Sequence, residues 1–205
     1  TQMICFTALK ETSIYNNLDI QKAIQYLTDN QTNGDFGSTL YTDWAAIAFG
    51  AYNKNHPIAI LIKNYLLTDP DPTAGFNPVS DYTRRAMALM SLGINPYKDT
   101  TTNYIEKIIN TFDNNQIGDP NLFNDDIFSL IVLNKAGYSE SEDIVQKTIA
   151  FILSKQTNGS WGDLDLTAAA VQALNPFYSR LNVNTSVDQA LAYLKSQQQT
   201  NGDFN

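Results

Sequence analysis

Chemistry in this chain has to come largely from carboxylates, because it holds only one cysteine, Cys5, and one histidine, His56. Those two do not supply the usual ligands of a structural or catalytic zinc site, so no metal and no cofactor is expected. A Ser-His-Asp or Cys-His mechanism would rest wholly on His56, which lies beside Pro57 in an Asn-Lys-Asn-His stretch and reads as a solvated loop histidine. The aspartates are more regularly placed. Asp43, Asp81, Asp126 and Asp165 each open an apolar run, Asp43-Trp44-Ala45-Ala46-Ile47-Ala48-Phe49 being the clearest. This placement predicts N-cap carboxylates at the positive ends of helix dipoles. If two of them faced each other about 5 to 9.5 Å apart across a groove, they would form the acid–base pair of a glycosidase.

Other charged groups have simpler expectations. Arg84 and Arg85 lie in an apolar run, where a guanidinium facing a cavity would hold an anion or carboxylate. Pairing with Asp81, one helical turn away, is the plainer expectation. Asp29, Gln31, Asn33 and Gly34 echo the start of a calcium loop, but Leu40 stands where the bidentate acid belongs. Asp69-Pro70-Asp71-Pro72 and Asn124-Asp125-Asp126 add carboxylates that read as solvated loop residues.

The elements that position these groups repeat. Glycines closing a helix-like stretch recur at Gly34, Gly75, Gly118, Gly159 and Gly202, separated by 41, 43, 41 and 43 residues. Such a period marks one supersecondary unit copied along the chain. Before the glycines lie amphipathic helices with apolar residues at i, i+3, i+4 and i+7, such as Ile20, Ala23, Ile24 and Leu27, or Val187, Ala190, Leu191 and Leu194. Asn-Gly at their ends predicts left-handed C-caps. After the glycines come helices that are apolar nearly all round, Asp81 to Leu92 and Asp126 to Leu133 among them, as expected for an inner layer. The expected fold is all-α: an α/α toroid of about five helix pairs, amphipathic helices outside and apolar ones inside. As a single domain over residues 1–205 its units are 19–53, 57–95, 102–138, 143–178, and 187–205 pairing with 1–11, where Met3 to Leu9 forms the first inner helix.

Composition narrows the function classes. With 43% apolar and 17% charged residues over 205 positions, the chain can bury a substantial core. Its longest apolar stretches, Ile58 to Ile62 and Ile127 to Leu133, fall well short of the run of about 20 residues that spans a bilayer. A net charge of −8 with three arginines lacks the basic footprint of a nucleic-acid binder.

The turns resemble the QW repeat of class II terpenoid cyclases, also seen in prenyltransferase-like and squalene oxidase-like repeats. The residues are Lys22-Ala23, Tyr26-Leu27, Gln31, Gly34 and Phe36; the stretches Phe151-Ile152, Gln156, Gly159, Trp161 and Tyr193-Leu194, Gln198, Gly202, Phe204 are similar. The resemblance implies the α/α toroid superfamily, in which the glutamine amide bonds free backbone groups at a neighbouring helix end under the aromatic ring. It also implies relatives to compare. Cys5 and His56 do not match a prenyltransferase zinc site, and Met3-Ile4-Cys5-Phe6 is no thioester motif. Asp163-Leu164-Asp165-Leu166-Thr167-Ala168 is similar to the cyclase motif that protonates an alkene, which makes Asp163 and Asp165 the catalytic candidates, although Leu166 replaces one aspartate of that motif. Phe6, Trp44, Phe49 and Phe128 are candidate cavity aromatics.

The expected function is a non-enzymatic ligand-binding or structural and interaction module of a larger secreted or cell-surface protein, similar to bacterial surface members of the superfamily. A small-molecule or protein ligand in the cavity or on its rim would meet Trp44, Arg84, Arg85 and Phe128. A cyclase-like enzyme with Asp165 as general acid is the alternative.

Overall fold

The computed structural model describes residues 19–73, 77–200 and 202–204. The expected helix Met3 to Leu9, with Cys5 and Phe6, lies outside the described residues, as do Gly75 and Asn201. The described residues are all-helical: α1 (Ile20–Asp29), α2 (Thr39–Asn53), α3 (Pro57–Leu66), α4 (Pro78–Ser91), α5 (Tyr104–Ile109), α6 (Asn124–Lys135), α7 (Asp143–Ser154), α8 (Leu164–Leu174) and α9 (Leu181–Gln197), with a 3-10 turn at Asn175–Phe177. None of these helices is long and apolar enough to cross a membrane.

The helices fall into two compact units, Gln2–Lys107 and Ile108–Asn205. In the first, α2 packs on α3 and on α4. In the second, α6 packs on α7 and on α8, and α8 packs on α9. In each unit an apolar helix therefore meets the next apolar helix across the intervening amphipathic one. The sequence explains this layering. The α6 surface is buried from Asp125 through Leu133 except at Phe128, whereas α1 buries only Ile24 and leaves its Gln and Lys residues in water.

Helix starts differ from expectation at the aspartates. The side chains of Ser38, Asn77 and Asp163 cap α2, α4 and α8, accepting the N–H groups of Tyr41, Val79 and Leu166. The helices thus begin upstream of Asp43, Asp81, Asp126 and Asp165, which sit inside the first or second turn and do not cap it. A hydroxyl, amide or carboxylate at the earlier position, followed by Pro78 in α4, already provides the start signal for α2, α4 and α8, whereas α6 starts after Phe123 with no side-chain cap. His56 is also more than a loop residue: its Nδ1 accepts the Ile58 N–H and caps α3, and its ring lies 5.1 Å from that of Phe49.

The Asn33-Gly34 and Asn158-Gly159 pairs are not C-caps. Helix α1 ends at Asp29, and Asn33 and Gly34, with φ of 52° and 89°, form the centre of a turn in which Thr32 and Asp35 exchange backbone hydrogen bonds. Asn158 and Gly159 repeat this between Thr157 and Ser160. Positive φ at both central residues defines the type I′ turn, for which Asn-Gly is the preferred pair. Each turn is pressed against the following amphipathic helix: a Cβ on Gly34 would lie 2.4 Å from the Leu61 carbonyl of α3, and one on Gly159 2.7 Å from the Gln189 carbonyl of α9.

Candidate functional site

In the first unit, the second turn of α4 places Arg84 and Arg85 against Asp43 of α2. Arg85 Nε donates to Asp43 Oδ1 at 2.7 Å, and Arg84 Nε to Asp43 Oδ2 at 3.2 Å. Arg84 Nη1 meets Asp81 Oδ1 at 2.7 Å, the pairing expected from their spacing. The remaining donors reach into the loop after α3: Arg84 Nη2 bonds the Pro72 carbonyl at 3.0 Å and Arg85 Nη1 the Pro70 carbonyl at 2.6 Å. Asp43, Asp81, Arg84 and Arg85 are all buried. Two guanidiniums against two carboxylates make the cluster neutral, which is how charge persists away from water. Burial pushes the Asp43 carboxyl above its usual range, against the pull of both guanidiniums. Among the described residues, Arg85 Nη2 has no hydrogen-bond partner.

The cluster extends through Tyr104, whose hydroxyl accepts from Arg85 Nη1 at 3.3 Å and donates to Asp69 Oδ1 at 2.6 Å. Asp69, with φ of 54°, also accepts the Thr102 N–H and the Thr101 hydroxyl. Burial would raise the Asp69 carboxyl, but these hydrogen bonds hold it below the usual range; burial and the bond to Asp69 push the Tyr104 phenol up. The Asp69-to-Pro72 stretch is thus tied to α2, α4 and α5, and Asp69 is not a solvated loop carboxylate.

The second unit holds a different arrangement. Asp125 and Asp126, expected in a solvated loop, are fully buried in the first turn of α6. Asp126 Oδ1 accepts the Ile117 N–H at 2.7 Å and Asp125 Oδ2 the Asp119 N–H at 3.2 Å. The Gln116 amide holds the same loop, donating to the Gly118 carbonyl at 2.8 Å. Asp126 Oδ2, Gln116 Oε1 and Ser129 Oγ are buried with no hydrogen-bond partner among the described residues. Burial, reinforced by the Asp125 charge and opposed by the Ile117 N–H, pushes the Asp126 carboxyl up to about 7.

The catalytic candidates occupy another environment. Asp163 and Asp165 are both exposed, and Asp163 is engaged as the α8 cap. An acid able to protonate an alkene needs a dry pocket around its carboxyl, and Asp165 lies in water. Of the candidate ligand contacts, Arg84 and Arg85 meet on Asp43; Trp44, half-buried on α2, belongs to the same unit, and Phe128, half-buried on α6, to the other.

The turn residues act as staples of differing kinds. Gln31 Oε1 accepts the Gly34 N–H within its own turn at 2.8 Å. Gln156 instead reaches α9, accepting the Ser186 hydroxyl at 2.5 Å and donating to the Ser186 carbonyl at 2.8 Å. Trp161 is fully buried and donates its indole N–H to the Ile152 carbonyl at 2.7 Å, whereas Phe36 is half-buried. Gln198 Nε2 bonds the Gly202 carbonyl at 3.1 Å, and Phe204 pairs with Gln198.

Threonines that sequence reasoning passed over complete the turns. Thr42 Oγ1 accepts the Phe36 N–H and Thr167 Oγ1 the Trp161 N–H, each at 3.0 Å. Asp125 does the same for Asp119, also six residues upstream. Thr42, Asp125 and Thr167 are 83 and 42 residues apart, with Thr83 at the intermediate position where its hydroxyl donates to the Ser80 carbonyl, so the same periodicity that located the glycines also marks these positions. No family model, curated protein or solved structure matches the chain.

Proposed function

We propose that the chain is a non-enzymatic ligand-binding or structural and interaction module, built as an α/α toroid of the terpenoid cyclase type with about five helix pairs, and part of a larger secreted or cell-surface protein. The observation that carries this reading is the closure of the Asp43–Arg84–Arg85–Asp81 cluster on itself and on the Pro70 and Pro72 carbonyls. Charged groups that could have served a substrate are engaged in seating a loop. The exposed positions of Asp163 and Asp165 agree with it, since neither has the dry surroundings of a strong acid. A ligand, small molecule or protein, would meet the half-buried Trp44 or Phe128 in the cavity or on its rim.

Incubation with squalene-type and shorter polyprenyl substrates tests the reading. No cyclised product is expected by mass spectrometry. Cyclised product that disappears in Asp165→Asn would overturn it and establish the cyclase-like alternative.

A further inference from the structure

The sequence Gln-Thr-Asn-Gly occurs three times, at Gln31-Thr32-Asn33-Gly34, Gln156-Thr157-Asn158-Gly159 and Gln199-Thr200-Asn201-Gly202; Asn201 lies outside the described residues, so the first two turns are the ones compared. Both asparagines are exposed, both glycines are buried, and the backbone conformations agree closely, with φ of 52° and 89° in the first and 51° and 81° in the second. They differ in what the glutamine does. Gln31 Oε1 accepts the Gly34 N–H at 2.8 Å. Gln156 is turned away to Ser186 of α9, and among the described residues nothing accepts the Gly159 N–H.

We propose that Asn158 is a site of spontaneous deamidation from which Asn33 is protected by Gln31. The Gly159 amide nitrogen, having lost its proton to hydroxide, attacks the Asn158 side-chain carbonyl carbon. A C–N bond forms, the bond to the side-chain nitrogen breaks, and that nitrogen leaves as ammonia with a proton taken back from water. Water then opens the five-membered imide at either carbonyl, so asparagine and water become aspartate or isoaspartate and ammonia, with no change of oxidation state. Glycine, lacking Cβ, offers least hindrance to the attack. In the first turn the attacking nitrogen must first give up its bond to Gln31; in the second no such bond stands in the way.

The modification has a structural consequence. Isoaspartate lengthens the backbone by one carbon at a turn where even a Cβ on Gly159 would come within 2.7 Å of the Gln189 carbonyl. It therefore loosens the seat of α9, and it adds a carboxylate to a chain of net charge −8. The stapling of Gln156 across to Ser186 is what leaves the turn open to this chemistry.

Incubating the intact chain in mildly alkaline buffer, digesting it and following the mass gain of the peptides that hold Asn33 and Asn158 tests the proposal. In the folded protein Asn158 should convert about fivefold faster than Asn33, the factor given by one net hydrogen bond of ordinary strength. In urea the two rates should converge, because the flanking residues are the same. Gln31→Ala should raise the Asn33 rate towards that of Asn158 in the folded chain. Equal rates in the folded wild type, or a faster Asn33, overturn the proposal. That comparison stands even if Gln31→Ala does not fold.

Discussion

Charge placed out of water defines this protein at the residue scale. Asp43 holds two buried guanidiniums, so Asp43→Ala leaves both without their shared partner and should cost about 3–5 kcal/mol, read from urea unfolding. Arg85→Met keeps the volume and leaves Asp43 paired to Arg84, so the loss should be clearly smaller. The Arg84–Asp81 pair was legible in the sequence because a spacing of three residues is local. Asp43 was not, because only packing of α2 on α4 brings it to residues more than forty positions away. Asp126 carries a second prediction. Its folded pKa of about 7 lies above the ordinary 3.8, so between those values the folded state keeps a proton that the unfolded state has lost. Stability should fall as pH rises through that window and then level off, and Asp126→Asn should show a flatter profile in urea titrations at its two ends. Parallel profiles would remove Asp126 as the source. Its neighbours in sequence, Asn124 and Asp125, read as loop residues, and only the earlier start of α6 places the pair under the Gln116–Gly118 loop.

Elements are joined at the turns, where glycines and threonines act together. Gly34→Ala puts an L residue at φ of 89° and a methyl against the Leu61 backbone. Gly37 has a similar φ of 84° but, among the described residues, open space where a Cβ would sit, so Gly37→Ala should cost only the conformational penalty of about 1–2 kcal/mol. Gly34→Ala should exceed it in the same thermal or urea assay, and equal losses would show that the approach of the turn to α3 is unimportant. Thr167→Val removes the acceptor of the buried Trp161 N–H and should cost about 1–3 kcal/mol, while Thr167→Ser should recover most of it. Amphipathic and apolar helices, and the positions of the turns between them, were predictable because side-chain period and glycine placement are local; that Asn33-Gly34 and Asn158-Gly159 form type I′ turns and not helix C-caps was not. Their capping was only partly so: Ser38, Asn77 and Asp163 are as good caps as the aspartates chosen from the pattern, and the choice among such candidates rests on which turn the packed helix needs to complete.

The whole molecule is acidic, and its net charge of −8 is carried mostly at the surface, since the buried arginines of the first unit are neutralised locally. Raising the salt concentration from about 0.01 M to about 0.15 M shortens the screening length from about 30 Å to about 8 Å. Unfolding midpoints should therefore rise with salt in the wild type, and the loss caused by Asp43→Ala should persist, because a dry ion pair is screened little. By itself the sequence determined that the chain is helical, that its helices alternate in character with a period near 41 residues, and where its tight turns fall. These follow from side-chain spacing and from glycine and asparagine backbone preferences, which act over a few residues. Tertiary structure alone decided which aspartates are buried and which are in water: Asp43 and Asp126 ended inside and Asp165 outside, although all three open similar runs. A carboxylate's solvation, partners and acidity depend on what distant segments bring to it, and that is settled only when helices pack.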